Sequence, residues 1–95
     1  MDRNLSDLAK SKLFIGIEHE KAQNWREAAE AYVSALLEAP LDAGIWYLVG
    51  VCKRRAGQNT DALQYLEKAN MLEPNSIEYS LELGDAHFDL RQFDQ

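Results

Sequence analysis

The chain is short of cysteine: Cys52 is the single thiol in 95 residues. One thiol makes neither an internal disulfide nor a paired-cysteine metal site. Such cysteine usage suits a reducing compartment, and a cytoplasmic location is expected. Positive charge is scarce as well. Ten Lys and Arg stand against 16 Asp and Glu, for a formal net charge of −6. Phosphate-rich partners need a basic surface, so nucleic acid is not an expected partner. No apolar run approaches the ~20 residues that cross a bilayer, so no membrane association is expected. The opening Met1-Asp2-Arg3-Asn4 is polar and lacks the apolar stretch of a signal peptide. No segment sustains a two-residue alternation, which leaves no strand to expect.

The chain does have enough apolar residues to fold. Hydrophobic residues make up 46% and charged residues 27%, which places it among globular chains rather than disordered ones. Its length bounds it to one small domain over 1–95.

The main signal is a spacing of 34 residues. Gly16, Gly50 and Gly84 share it, as do Ala28 and Ala62, Ala35 and Ala69, and Pro40 and Pro74. Trp25 and Phe93 stand two periods apart. Each residue type has a physical task. A glycine inside a helix costs roughly 1 kcal/mol against alanine, which makes sense where a neighbouring helix must come close. Alanines seven apart line one helix face and let two helices pack tightly. Each proline stops its helix, because it lacks an N–H and clashes with the preceding turn.

Short polar turns separate the glycine helix from the alanine helix: Ala22-Gln23-Asn24, Ala56-Gly57-Gln58-Asn59 and Arg91-Gln92. Gly57 suits a helix C-terminus. Asn24 with Glu27 matches a capping box, and Asp42 and Ser76 are placed to cap the helices after the prolines. The spacing predicts helices near 7–22, 25–38, 42–56, 60–72 and 76–90.

These residues resemble the tetratricopeptide repeat, whose 34-residue pattern runs W-x₂-L-G-x₂-Y, then A-x₃-F, then P. The second unit reads Trp46-x₂-Val49-Gly50-x₂-Lys53, then Ala62-x₃-Leu66, then Pro74. The first reads Lys12-x₂-Ile15-Gly16-x₂-His19, then Ala28-x₃-Tyr32, then Pro40. The third begins Ser80-x₂-Leu83-Gly84-x₂-His87. The family's tryptophan survives only as Trp46, and His19, Lys53 and His87 replace its tyrosine. The resemblance implies an all-α, right-handed superhelix of antiparallel helical hairpins. Its repeats would run 9–42 and 43–76, with a partial third over 77–95.

The resemblance further implies a concave groove lined by the first helix of each hairpin. Position by position, it assigns to that groove Lys10, Leu13, Ile17, Glu20 and Lys21, then Tyr47, Val51, Arg54 and Arg55. From the third unit come Glu78, Leu81, Asp85 and Phe88. An apolar floor with charged edges is suited to an extended segment or an amphipathic helix of a protein partner. Arg54 and Arg55 are placed to meet acidic side chains on it. Leu13, Ile17 and Val51 have a second reading as packing between helices, and Lys53-Arg54-Arg55 as cations at a helix end. Family members that clamp chaperone tails use lysine, asparagine and arginine where this chain has Leu13, Ile17, Leu48, Glu78 and Glu82. No chaperone-tail binding is therefore expected.

Nothing in the sequence signals catalysis, a cofactor or a metal. His19 and His87 lack a second histidine one turn away. Cys52 reads as a small buried thiol, and the glycines belong to the repeat rather than to a phosphate loop. The expected function is a non-catalytic interaction module or scaffold. Two alternatives are the N-terminal docking or dimerisation domain of a larger modular enzyme, such as a bacterial glycosyltransferase, and a secretion-type chaperone. The pattern breaks off inside the third unit, so two expectations compete: a piece of a longer protein, which the break inside the repeat favours, or a whole chain whose end is covered by a second copy or a partner. In either case the segment 76–95 is expected to be the least stable, or to form a homodimer through its uncovered helix. Charge points the same way. Glu78, Glu82, Asp85, Asp89 and Asp94 crowd the end, while Lys53, Arg54, Arg55 and Lys68 lie in the middle, so acidic and basic regions of two copies could pair.

Overall fold

The structure, a computed structural model, describes residues 5–93 as five helices. They are α1 (Asp7–Lys21), α2 (Trp25–Leu36), α3 (Ala43–Arg55), α4 (Asn59–Leu72) and α5 (Ile77–Phe93). No strand occurs among the described residues. Helices α1 and α2 form one hairpin and α3 and α4 another, each joined by a three-residue turn. α2 packs on α3, and α5 packs on α4 and touches α3.

Three helices start where a hydroxyl or carboxylate can take up an orphan N–H. Ser6 Oγ accepts from Ala9 N–H at 3.1 Å, Asp42 Oδ1 from Ile45 N–H at 3.2 Å, and Ser76 Oγ from Tyr79 N–H at 3.2 Å. The capping box expected of Asn24 and Glu27 does not form, since the Asn24 side chain makes no cap bond. The turn itself is the reason. Gln23 N–H donates to the Glu20 carbonyl and Asn24 N–H to the His19 carbonyl, at 2.9 and 2.8 Å. This closure leaves Asn24 at ψ 75°, away from the extended geometry of Ser6 (ψ 162°) that turns a cap back onto its helix.

The same closure ends α3, where Gly57 N–H and Gln58 N–H reach the carbonyls of Arg54 and Lys53. Its central residue is left-handed in both turns: Gln23 at φ 62° and Gly57 at φ 83°. Arg91 holds the equivalent place 34 residues on, but α5 runs through it to Phe93. The turn expected at Arg91-Gln92 is therefore helical. Neither residue breaks a helix as Gly or Pro does, and among the described residues no later helix packs back on α5.

The core lies between the hairpins. Ala28, Ala29, Tyr32, Ala35 and Leu36 of α2 pack against Ile45, Val49 and Cys52 of α3. The repeated glycines explain how close the partners come. A Cβ on Gly50 would stand 2.5 Å from Leu66 Cγ, and one on Gly16 would stand 2.6 Å from Tyr32 Cδ1. Gly84 meets nothing within 4 Å. Trp46 pins the hairpin junction, its indole N–H donating to the Pro40 carbonyl at 2.8 Å and its ring tilted against Tyr65.

Candidate functional site

Helices α1 and α3 meet the start of α2 in a concavity of about 470 Å³. Its walls are Ile17, Glu20 and Lys21 from α1, Trp25 from α2, and Val51 and Arg55 from α3. The 3.6-residue period puts Ile17, Glu20 and Lys21 on one face, and the 34-residue repeat puts Val51 and Arg55 in the places of Ile17 and Lys21. The floor is apolar and the rim carries opposite charges.

Trp25 completes this site and was not singled out from the sequence as a groove residue. It opens α2 four residues after Lys21, so the tight turn through Gln23 brings it back beside the end of α1. The Arg55 guanidinium lies over its ring, 5.1 Å from the centroid. A cation held on an aromatic face keeps its N–H edges for a partner.

The remaining groove residues divide in two. Leu13 is half-buried against the core between the hairpins, and Lys10 is exposed near the start of α1. Tyr47 and Arg54 turn towards α5. Tyr47 stacks on Tyr79 with centroids 4.8 Å apart, and its hydroxyl donates to Glu78 at 3.2 Å. Burial, with Glu78 and Glu82 nearby, pushes the Tyr47 hydroxyl up to about 12. Arg54 Nε donates to Asp89 at 2.8 Å and its Nη1 to Glu82. The acidic end and the basic middle thus meet through Arg54 within one chain; Asp94 lies outside the described residues. Leu81, Asp85 and Phe88 are exposed on α5, away from the concavity.

The run Lys53-Arg54-Arg55 is spent on three different elements. Lys53 pairs with Asp61 at 3.5 Å beside the Tyr65 ring, Arg54 reaches α5, and Arg55 covers Trp25. Glu20 accepts a hydrogen bond from the Tyr32 hydroxyl at 2.6 Å, which ties that carboxylate to its own hairpin.

A second open face runs along α5. Ile77, Leu81 and Phe88 are 76%, 65% and 60% exposed and share one side with Gly84. In the first two units the matching glycine is covered by Tyr32 or Leu66.

Cys52 is fully buried, and burial pushes its thiol up to about 12, so it stays protonated at neutral pH. Among the described residues no three His, Cys, Asp or Glu side chains gather as a metal site. Nor is any helix there long and apolar enough to cross a membrane.

A family model described as tetratricopeptide repeat matches residues 15–75. The fold is similar to the TPR2B domain of yeast Sti1 in its complex with pHsp70, at 20% identity and TM-score 0.85, covering 94% of this chain and 71% of that one. It is similar to the Sgt2 TPR domain from Aspergillus fumigatus, at 20% identity and TM-score 0.86, covering 99% of this chain and 64% of that one. It is also similar to PcrH in complex with the chaperone binding region of PopD, at 22% identity and TM-score 0.81, covering 99% of this chain and 71% of that one. At these identities the likeness is one of fold. No curated protein matches the sequence.

Proposed function

As the chain belongs to the tetratricopeptide repeat family, we propose that it is a non-catalytic module that holds a segment of a protein partner against α1, α3 and α5. In this reading the chain is one domain with repeats at 9–42, 43–76 and, in part, 77–95. The observation that carries the reading is the concavity walled by the stacked Trp25 and Arg55 together with α1. Five residues assigned to a groove by repeat position surround one open space there. An apolar floor with a few polar groups at the rim suits a side chain of a bound segment. PcrH, which has the same fold, is seen with the chaperone binding region of PopD. The occupant proposed here is of that general kind, a segment of another protein.

The test is selection of peptides from a random 12-residue display library on the purified chain. Selected peptides should compete with one another and lose at least tenfold in affinity to Ile17→Asp, a change at a half-exposed groove position. Unchanged binding to that variant, or no selected peptide, defeats the reading.

The face of α5 favours a second role, pairing with a second copy. Two α5 helices crossing antiparallel at Gly84 would set Leu81 of each near Phe88 of the other and Glu78 near Arg91. Such a face is self-complementary, as a two-fold interface requires. Sedimentation over a concentration series should show a dimer that Leu81→Glu abolishes. A monomer at every concentration excludes this role.

A further inference from the structure

The charges along the groove are not evenly spread, and the spread follows from where each cation is spent. Arg54 is matched by two carboxylates of α5, Glu82 and Asp89. With Glu78 and Asp85 also on α5, that end of the groove keeps an excess of negative charge. At the other end, the Glu20 carboxylate is tied to its own hairpin by the Tyr32 hydroxyl, a neutral donor. Arg55 takes part in no ion pair among the described residues and rests on the Trp25 ring. Lys21 is 71% exposed, with only Glu18 at 3.6 Å. Two cations, Lys21 and Arg55, therefore share the rim of the concavity with the Glu20 carboxylate, above the apolar Ile17 and Val51.

We propose that the groove has a direction and selects a partner segment of mixed charge. An aspartate or glutamate beside a bulky apolar residue docks at the Trp25–Arg55 concavity, and a lysine or arginine of the same segment lies over Glu78 and Asp85. This inference rests on the groove reading above. The chemistry favours a carboxylate at Arg55. A guanidinium stacked on indole is already oriented, and its free edge offers parallel N–H donors that fit a carboxylate. The apolar neighbour fills the space between Ile17, Val51 and Trp25, where it displaces water from an apolar surface. A uniformly acidic segment is repelled at α5, and a uniformly basic one brings no carboxylate to Arg55 and meets its charge and that of Lys21. This like-charge mismatch sets the specificity. A 12-residue probe spans at most about 40 Å when extended, comparable with the 44 Å long axis of the molecule.

The test uses the peptides selected from the display library. Their sequences should carry acids at one end and bases at the other, flanking apolar residues. By fluorescence anisotropy, a labelled bipolar peptide should bind about tenfold tighter than versions with both ends acidic or both ends basic, and added salt should shrink that gap. Arg55→Glu should remove the preference for the bipolar peptide and raise affinity for the basic one. Lys21→Glu, at an exposed position, should act in the same direction more weakly. Selected peptides with no charge order, or an order indifferent to both variants, overturn the inference and leave the groove reading standing. An absence of any selected peptide overturns both.

Discussion

The ring of Tyr32 occupies the space that a side chain on Gly16 would need. Its Cδ1 would lie 2.6 Å from such a Cβ, and the ring is fully buried. The glycine thus gives up helix stability so that α1 and α2 can approach. Helix propensity alone favours Gly16→Ala by roughly 1 kcal/mol, but displacing a packed ring costs about 1–3 kcal/mol. Gly16→Ala should therefore lower stability in urea. Gly84→Ala, with nothing within 4 Å, should leave α5 equally or more stable. A loss at Gly16 with no loss at Gly84, from identical substitutions at equivalent positions, makes the test.

The two turn centres allow a reciprocal experiment. Gln23 holds a left-handed backbone at φ 62° without being glycine, which is unfavourable by about 1 kcal/mol or slightly more. Gln23→Gly should raise stability, offset in part by greater freedom of the unfolded chain. Gly57→Ala should lower stability by about 1 kcal/mol through the backbone, since no atom lies within 4 Å of the added Cβ. Urea midpoints at constant slope would report both.

Arg54 joins α3 to α5 through Asp89 and Glu82, at side-chain exposures of 26%, 34% and 16%. Removing its guanidinium leaves two carboxylates without their donor. Arg54→Ala should weaken the docking of α5 by about 1–3 kcal/mol. Amide exchange should accelerate over 77–93 and change little in α2, where the core lies. Among the described residues of α5, only Ala86 is fully buried and apolar, so even the unaltered α5 should exchange faster than α2 and α3.

Alkaline pH should destabilise the chain through the buried Cys52 thiol and the half-buried Tyr47 hydroxyl. The Tyr47 hydroxyl and the Cys52 thiol rise to about 12 from ordinary values of 10.0 and 9.0, and burial is the first cause for both. The folded state binds these protons more tightly than the unfolded one. Its advantage is complete below about pH 9, declines as the unfolded chain releases first the thiol proton and then the phenol proton, and is lost by about pH 12. Tyr47→Phe should flatten the fall in urea midpoint between pH 10 and 12. A tyrosinate absorbance that rises near pH 10 for every tyrosine would contradict this assignment.

The sequence by itself determined the five helices and their order. Gly, Ala and Pro at a 34-residue period carry that information in backbone terms, as close approach, small faces and forced stops. Local chemistry likewise set the caps at Asp42 and Ser76 and the left-handed turn at Gly57. Asn24 failed as a side-chain cap because a turn closed by backbone bonds had already fixed its geometry. Only the tertiary structure decided how the charges are spent. Nothing local distinguishes Lys53, Arg54 and Arg55. Successive residues on a helix point about 100° apart, so the three reach α4, α5 and the Trp25 ring respectively. The place of Trp25 in the concavity was decided there too, since it depends on where the turn at Gln23 returns the chain. Long-range pairing of side chains is a property of packed helices, and a repeat period encodes the packing without naming the pairs.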